Sequence, residues 1–129
     1  MSEVYDFFQQ GRRHLRKGMA AQATVPLEKA KRREPNKASI RESLGIAYFR
    51  IGRYEEAAAE FRAVLDLSPT DDYAHYALGR CLEKQGHAAE ANGHYKLARS
   101  LRPGSKRYAA RVMDLGPTPR GLSLGSDPA

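Results

Sequence analysis

Five kinds of residue recur in this chain at a spacing of 34. The sets are Gly11, Gly45 and Gly79; Gly18, Gly52 and Gly86; Ala23, Ala57 and Ala91; Leu27, Phe61 and Tyr95; and Pro35, Pro69 and Pro103. Leu44 and Leu78 keep the same register. A fixed period of this length forces a stack of copies, because one copy alone cannot bury its apolar face. Within each copy the hydrophobic spacing is that of two helices. The small residues let the two helices approach, and Leu27, Phe61 and Tyr95 fill the space beside them.

The punctuation places the elements. Ser2 is suited to cap a first helix over 3–17, with Val4, Phe7, Phe8, Gly11 and Leu15 on its apolar side. Gly18 turns the chain into a second helix over 20–33. Pro26 lies inside that segment and removes one backbone donor, so a kink or a late start is expected there. Pro35 ends it. Helices follow over 37–50, 54–67, 71–84 and 88–101, turned by Gly52 and Gly86, with Thr70 expected as the cap of the fifth. Residues 105–115 read as a closing helix with Tyr108, Val112 and Leu115 on one face, stopped by Gly116-Pro117. The tail 116–129 is rich in Gly, Pro and Ser and reads as disordered.

The order Leu44-Gly45-x-x-Tyr48, then Ala57, Phe61 and Pro69, resembles the signature of the tetratricopeptide repeat. The resemblance covers three units, about 4–37, 38–71 and 72–105. It implies an all-α helical-hairpin solenoid, an α-α superhelix, made of three repeats and a capping helix over 2–115. It also implies a scaffold for protein–protein interaction rather than an enzyme.

Composition narrows the setting. The chain has 129 residues and is 41% hydrophobic, enough for one domain and apt for a thin solenoid. No apolar run is long enough for a transmembrane helix, and the first residues show no secretory pattern. A single cysteine, Cys81, excludes an intramolecular disulfide framework, so the cytoplasm is the expected compartment. The Ala- and Arg-rich usage suggests a bacterial protein. The net charge of +7 is uneven: residues 4–37 hold nine Lys and Arg against three Asp and Glu, whereas 38–71 hold four against six. The basic excess at one end favours an acidic partner or nucleic acid there.

In this family the first helices of the units line a concave groove. The resemblance places Tyr5, Phe8, Arg12, Leu15 and Arg16 there from the first unit. It adds Ser39, Glu42, Ile46, Phe49 and Arg50 from the second, and Tyr73, Tyr76, Arg80, Glu83 and Lys84 from the third. An aromatic set thus stands beside a cationic column of Arg12, Arg16, Arg50, Arg80 and Lys84, which is the composition of binding hot spots. Such a surface suits a partner segment with acidic and apolar side chains. The competing reading is packing between neighbouring helices, above all for Leu15, and a solvated face for the arginines. The co-chaperone class of these repeats grips terminal carboxylates with Lys and Asn, Asn, and Lys and Arg in successive units. The matching positions here are Phe8, Arg12, Ser43, Tyr73 and Ala77, so that clamp does not carry over.

Other candidates are weaker. Lys29, Lys31, Arg32 and Arg33 form a basic patch that complements the helix C-terminus, or else meets an acidic partner or phosphates. No RNA-recognition signature accompanies it, so nucleic acid ranks below protein as partner. His14 reads as packed. His75, His87 and His94 do not assemble at metal-ligand spacing, so no metal and no cofactor is expected. Cys81 reads as a core residue without an adjacent base, and no phosphate loop, carboxylate pair or serine triad is present. The main expectation is a non-catalytic adaptor. Self-association, with a second copy covering the weak end of the first unit, is the alternative, and nucleic-acid binding through the basic first repeat comes after it.

Overall fold

The computed structural model describes residues 2–115. Among these, seven helices and no strands are present: α1 (Glu3–Arg16), α2 (Ala20–Arg33), α3 (Ala38–Arg50), α4 (Tyr54–Leu67), α5 (Asp72–Lys84), α6 (Ala88–Leu101) and α7 (Lys106–Arg111). They pack as three helix–turn–helix hairpins. The second helix of each hairpin also lies against the first helix of the next, which makes a solenoid.

The hairpin geometry follows from the glycines. Gly18, Gly52 and Gly86 adopt φ of 75°, 81° and 86°, a left-handed conformation that costs other residues about 1 kcal/mol or more. Inside the hairpins, a Cβ on Gly11 would sit 2.4 Å from Leu27 Cγ, on Gly45 2.7 Å from the Phe61 ring, and on Gly79 2.6 Å from the Tyr95 ring. The periodic small residue is therefore a close approach, and the periodic large residue is what fills it. Leu27, Phe61 and Tyr95 are almost completely buried, together with Leu44, Leu78, Ala57 and Ala91.

Three details depart from the sequence reading. Pro26 is buried within α2, which runs as one helix from Ala20 to Arg33 without a late start. Packing of Ala23, Leu27 and Ala30 on α1 and α3 outweighs the missing hydrogen bond. The cap of α5 is Asp71, not Thr70: its carboxylate accepts the Ala74 N–H at 3.0 Å. The closing helix is only Lys106–Arg111, begun by Ser105, whose Oγ accepts the Tyr108 N–H. It stops before Gly116 because the chain turns extended at Val112, where Asn92 of α6 takes over the backbone pairing. The Asn92 amide donates to the Met113 carbonyl at 2.9 Å and accepts its N–H at 2.7 Å. Tyr108 is buried, Val112 is half-buried, and Leu115 lies exposed. The expected tail, 116–129, lies outside the described residues.

Charge also ties units together. Glu60, 5% exposed, accepts Lys31 at 2.8 Å from the unit before and Arg41 at 3.1 Å. Asp72 accepts the Tyr108 hydroxyl at 2.7 Å and Arg102 at 3.0 Å, which anchors α7 to α5.

Candidate partner-binding groove

Successive first helices α1, α3 and α5 present their unit-equivalent residues side by side, because the 34-residue period repeats their orientation. Two adjoining cavities result. One, of about 370 Å³, lies between α1 and α3 and is lined by Phe8, Arg12, Leu15, Arg16, Ser39, Glu42, Ser43, Ile46 and Arg50. The other, of about 280 Å³, lies between α3 and α5 and is lined by Ile46, Phe49, Arg50, Phe61, Tyr73, Tyr76, Ala77, Arg80 and Arg107. Ile46 and Arg50 border both, so the groove is continuous across the units. Tyr5, 54% exposed, lines a third cavity with Phe8 and Ser39. Lys84 is exposed and lines none of the three. Glu83 is drawn to the second helix of its hairpin, where it accepts the Tyr95 hydroxyl at 2.6 Å.

Three cations of the groove rest on its rings. The Arg12 guanidinium lies 5.5 Å from the Phe8 centroid, Arg80 lies 5.1 Å from Phe49, and Arg107 lies 4.9 Å from Tyr76. Arg50 donates to the Leu15 carbonyl at 3.0 Å, and Arg80 to the Tyr76 hydroxyl at 3.3 Å. Tyr76 is mainly a packing residue, 7% exposed and in ring contact with Tyr73, Tyr95 and Tyr108. Phe8, Phe49 and Tyr73 are half-buried and keep part of their surface toward the groove. Burial raises the Glu42 carboxyl above the ordinary carboxylate range, Asp71 adds to the rise, and Arg12 opposes it. Burial likewise raises the Tyr73 hydroxyl, with the field of Glu42 adding to it.

Arg107 is absent from the groove set read from sequence. A signal for it exists: Tyr5, Ser39 and Tyr73 stand 34 apart, and one further step of 34 reaches Arg107. α7 occupies the place of a fourth first helix and brings that position over the groove.

The basic run at the end of α2 is divided by the fold. Lys31 turns inward to Glu60 at 2.8 Å and Glu28 at 3.3 Å. Burial works against its charge, but the hydrogen bonds and fields of Glu60 and Glu28 together outweigh it and raise its pKa. Lys29 and Arg33 lie over the Phe7 ring, and Arg33 pairs with Glu3. Arg32 is exposed.

The expectation that the histidines stay apart is overturned. His75 of α5 and His94 of α6 stack at 5.4 Å with their Nδ1 atoms 3.1 Å apart, while His75 Nε2 donates to the Pro69 carbonyl at 2.8 Å. The spacing of 19 residues hides the contact, which the hairpin creates. Among the described residues no group of three or more His, Cys, Asp or Glu could hold a metal ion. Cys81 is fully buried, and burial pushes its thiol up to about 12, far from a reactive thiolate.

Comparison with known proteins bears on this architecture. The family model of the tetratricopeptide repeat matches residues 8–72 and again 44–106. The chain belongs to the tetratricopeptide repeat family. Mouse Superkiller complex protein 3 is 31% identical over 91 residues, 70% of this chain. The chain spans only 6% of that protein's length. The crystal structure of MamA superposes with a TM-score of 0.82 at 23% identity, covering 84% of this chain and 64% of MamA. The first tetratricopeptide domain of Spaghetti (RPAP3), bound to an HSP90 peptide, superposes at 0.81 with 16% identity, covering 85% of this chain and 87% of that one. Identities of this size establish the fold alone. No helix among the described residues is long and apolar enough to cross a membrane.

Proposed function

We propose that this tetratricopeptide domain is a non-catalytic adaptor that holds a peptide or helix of a partner protein in the groove of α1, α3 and α5. The observation that carries the reading is the groove's surplus of positive charge. Arg12, Arg16, Arg50, Arg80 and Arg107 line it, and none makes an ion pair among the described residues. Elsewhere the fold pairs its cations freely, as at Glu60 and Asp72. A row of five guanidiniums, three of them resting on rings, against the single carboxylate of Glu42 suits a partner that supplies acidic and apolar side chains. The structural relative with an HSP90 peptide supports a peptide as occupant of such a domain. The cytoplasm is the compartment that fits a free Cys81.

The test is affinity capture from lysate, with nuclease present, by the wild type and by a variant carrying Arg12→Glu, Arg50→Glu and Arg80→Glu. Capture of a protein by the wild type alone, with helicity equal in both, supports the groove. Equal capture by both removes it.

A further inference from the structure

We infer that the pocket between α3, α5 and α7 receives an acidic side chain adjacent to an apolar one, and that Arg107 of α7 is a specificity-determining residue of the groove. The inference rests on the groove reading above and names the chemistry of its occupant at one pocket.

Three guanidiniums, Arg50, Arg80 and Arg107, line this pocket of about 280 Å³, and no carboxylate does. Its floor is apolar, formed by Ile46, Phe61 and Ala77. The pocket thus offers an apolar floor ringed by fork-shaped cations, a geometry that suits a carboxylate beside an apolar group. The adjoining cavity also has three guanidiniums, Arg12, Arg16 and Arg50, but unlike the first it includes a carboxylate. It holds Glu42, whose carboxyl is half-buried beside Arg12. An acidic side chain placed there meets a like charge, so the two cavities impose a register on the ligand. Its acidic residue goes to the Arg107 end, and neutral or hydrogen-bond-donating residues go to the Glu42 end.

Arg107 is held ready for this role. Its guanidinium lies 4.9 Å over Tyr76 and 5.8 Å from Tyr73. The helix that carries it is fixed by Tyr108 on Asp72 and by Asn92 on Met113. A cation already stacked over rings has less freedom to lose when it binds than an unsupported one. The same stacking argues against single-stranded nucleic acid, because the ring faces of Phe49 and Tyr76 already meet guanidiniums and a base needs an open ring.

The probe is a random displayed library of peptides about twelve residues long, panned on the full chain with nuclease present. The winners are then titrated by fluorescence anisotropy against the wild type, Arg107→Ala, Arg107→Lys, Arg12→Ala and Phe8→Ala, each checked for unchanged helicity. Winners should carry Asp or Glu next to Phe, Tyr, Leu or Ile. Arg107→Ala should weaken them about tenfold or more, as expected for loss of a charge-assisted hydrogen bond. Arg107→Lys should recover only part of that. Neutral or basic winners, or acidic winners indifferent to Arg107→Ala, overturn the inference. Winners lost with Phe8→Ala and Arg12→Ala but indifferent to Arg107→Ala overturn it while leaving the groove in place. Winners indifferent to every groove substitution, or a library that yields none, overturn both.

Discussion

Replacing Gly79 with Ala and replacing Gly93 with Ala are the same chemical change within helices of one hairpin, yet they should move stability in opposite directions. Both gain the helix propensity of Ala over Gly, about 0.5–1 kcal/mol. At Gly93, mid-helix in α6, a Cβ meets nothing within 4 Å, so that gain stands alone. At Gly79 the new Cβ would lie 2.6 Å from Tyr95 Cε1, 2.8 Å from Cδ1 and 3.2 Å from the Ala91 carbonyl. The Tyr95 ring cannot withdraw: it is fully buried, and its hydroxyl is tied to Glu83 at 2.6 Å. Overpacking of a filled core costs about 1–3 kcal/mol, and the tethered ring puts this site at the upper end. The net expectation is a loss of about 2 kcal/mol for Gly79→Ala, set against a gain of about 0.8 kcal/mol for Gly93→Ala. For a domain of a little over 100 residues these correspond to a Tm about 8 °C lower and about 3 °C higher. Urea and thermal melts followed by far-ultraviolet circular dichroism measure both. A Gly79→Ala variant as stable as the wild type would refute the claim that the periodic glycine is there for close approach.

Further expectations follow from charge and burial. Glu60→Ala leaves Lys31 with Glu28 and Arg41 with the Pro35 carbonyl, and both keep some access to water, so the expected loss is toward the low side, about 1–2 kcal/mol by urea denaturation. Burial and then the neighbouring His75 lower the His94 pKa below its ordinary 6.5, with Glu90 opposing and Arg62 reinforcing. The unfolded chain therefore binds the proton more readily, so stability is full above about pH 6.5 and declines as pH falls below it. Melts at pH 7.5 and 5.5 should show that decline, and His94→Gln should flatten it; an unchanged slope sinks the assignment. Cys81, fully buried with its thiol pushed up to about 12, should resist a thiol reagent in the native protein and react fully in urea. Ready labelling of the native chain would contradict the core placement.

Much of this protein is set by local chemistry and period. The limits of α2, α4 and α6 fall at the residues expected, because Gly turns, Pro stops and helical hydrophobic spacing act over a few residues. The 34-residue register brings Phe8, Arg12, Arg16, Glu42, Ile46, Phe49, Arg50, Tyr73, Tyr76 and Arg80 into two adjoining cavities, since a period fixes relative orientation as well as spacing. What the order of residues did not reveal lies where distant segments meet. His75 finds His94 across a hairpin, and Lys31 abandons the basic patch for Glu60, 29 residues on. Pro26 is carried through α2 because packing outweighs one missing hydrogen bond. α7 ends early because Asn92 captures the chain at Met113, and the same short helix delivers Arg107 to the groove. Helix limits and repeat register depend on neighbours in sequence. Which cations are spent on ion pairs, and which stay unpaired along the groove, depends on neighbours in space.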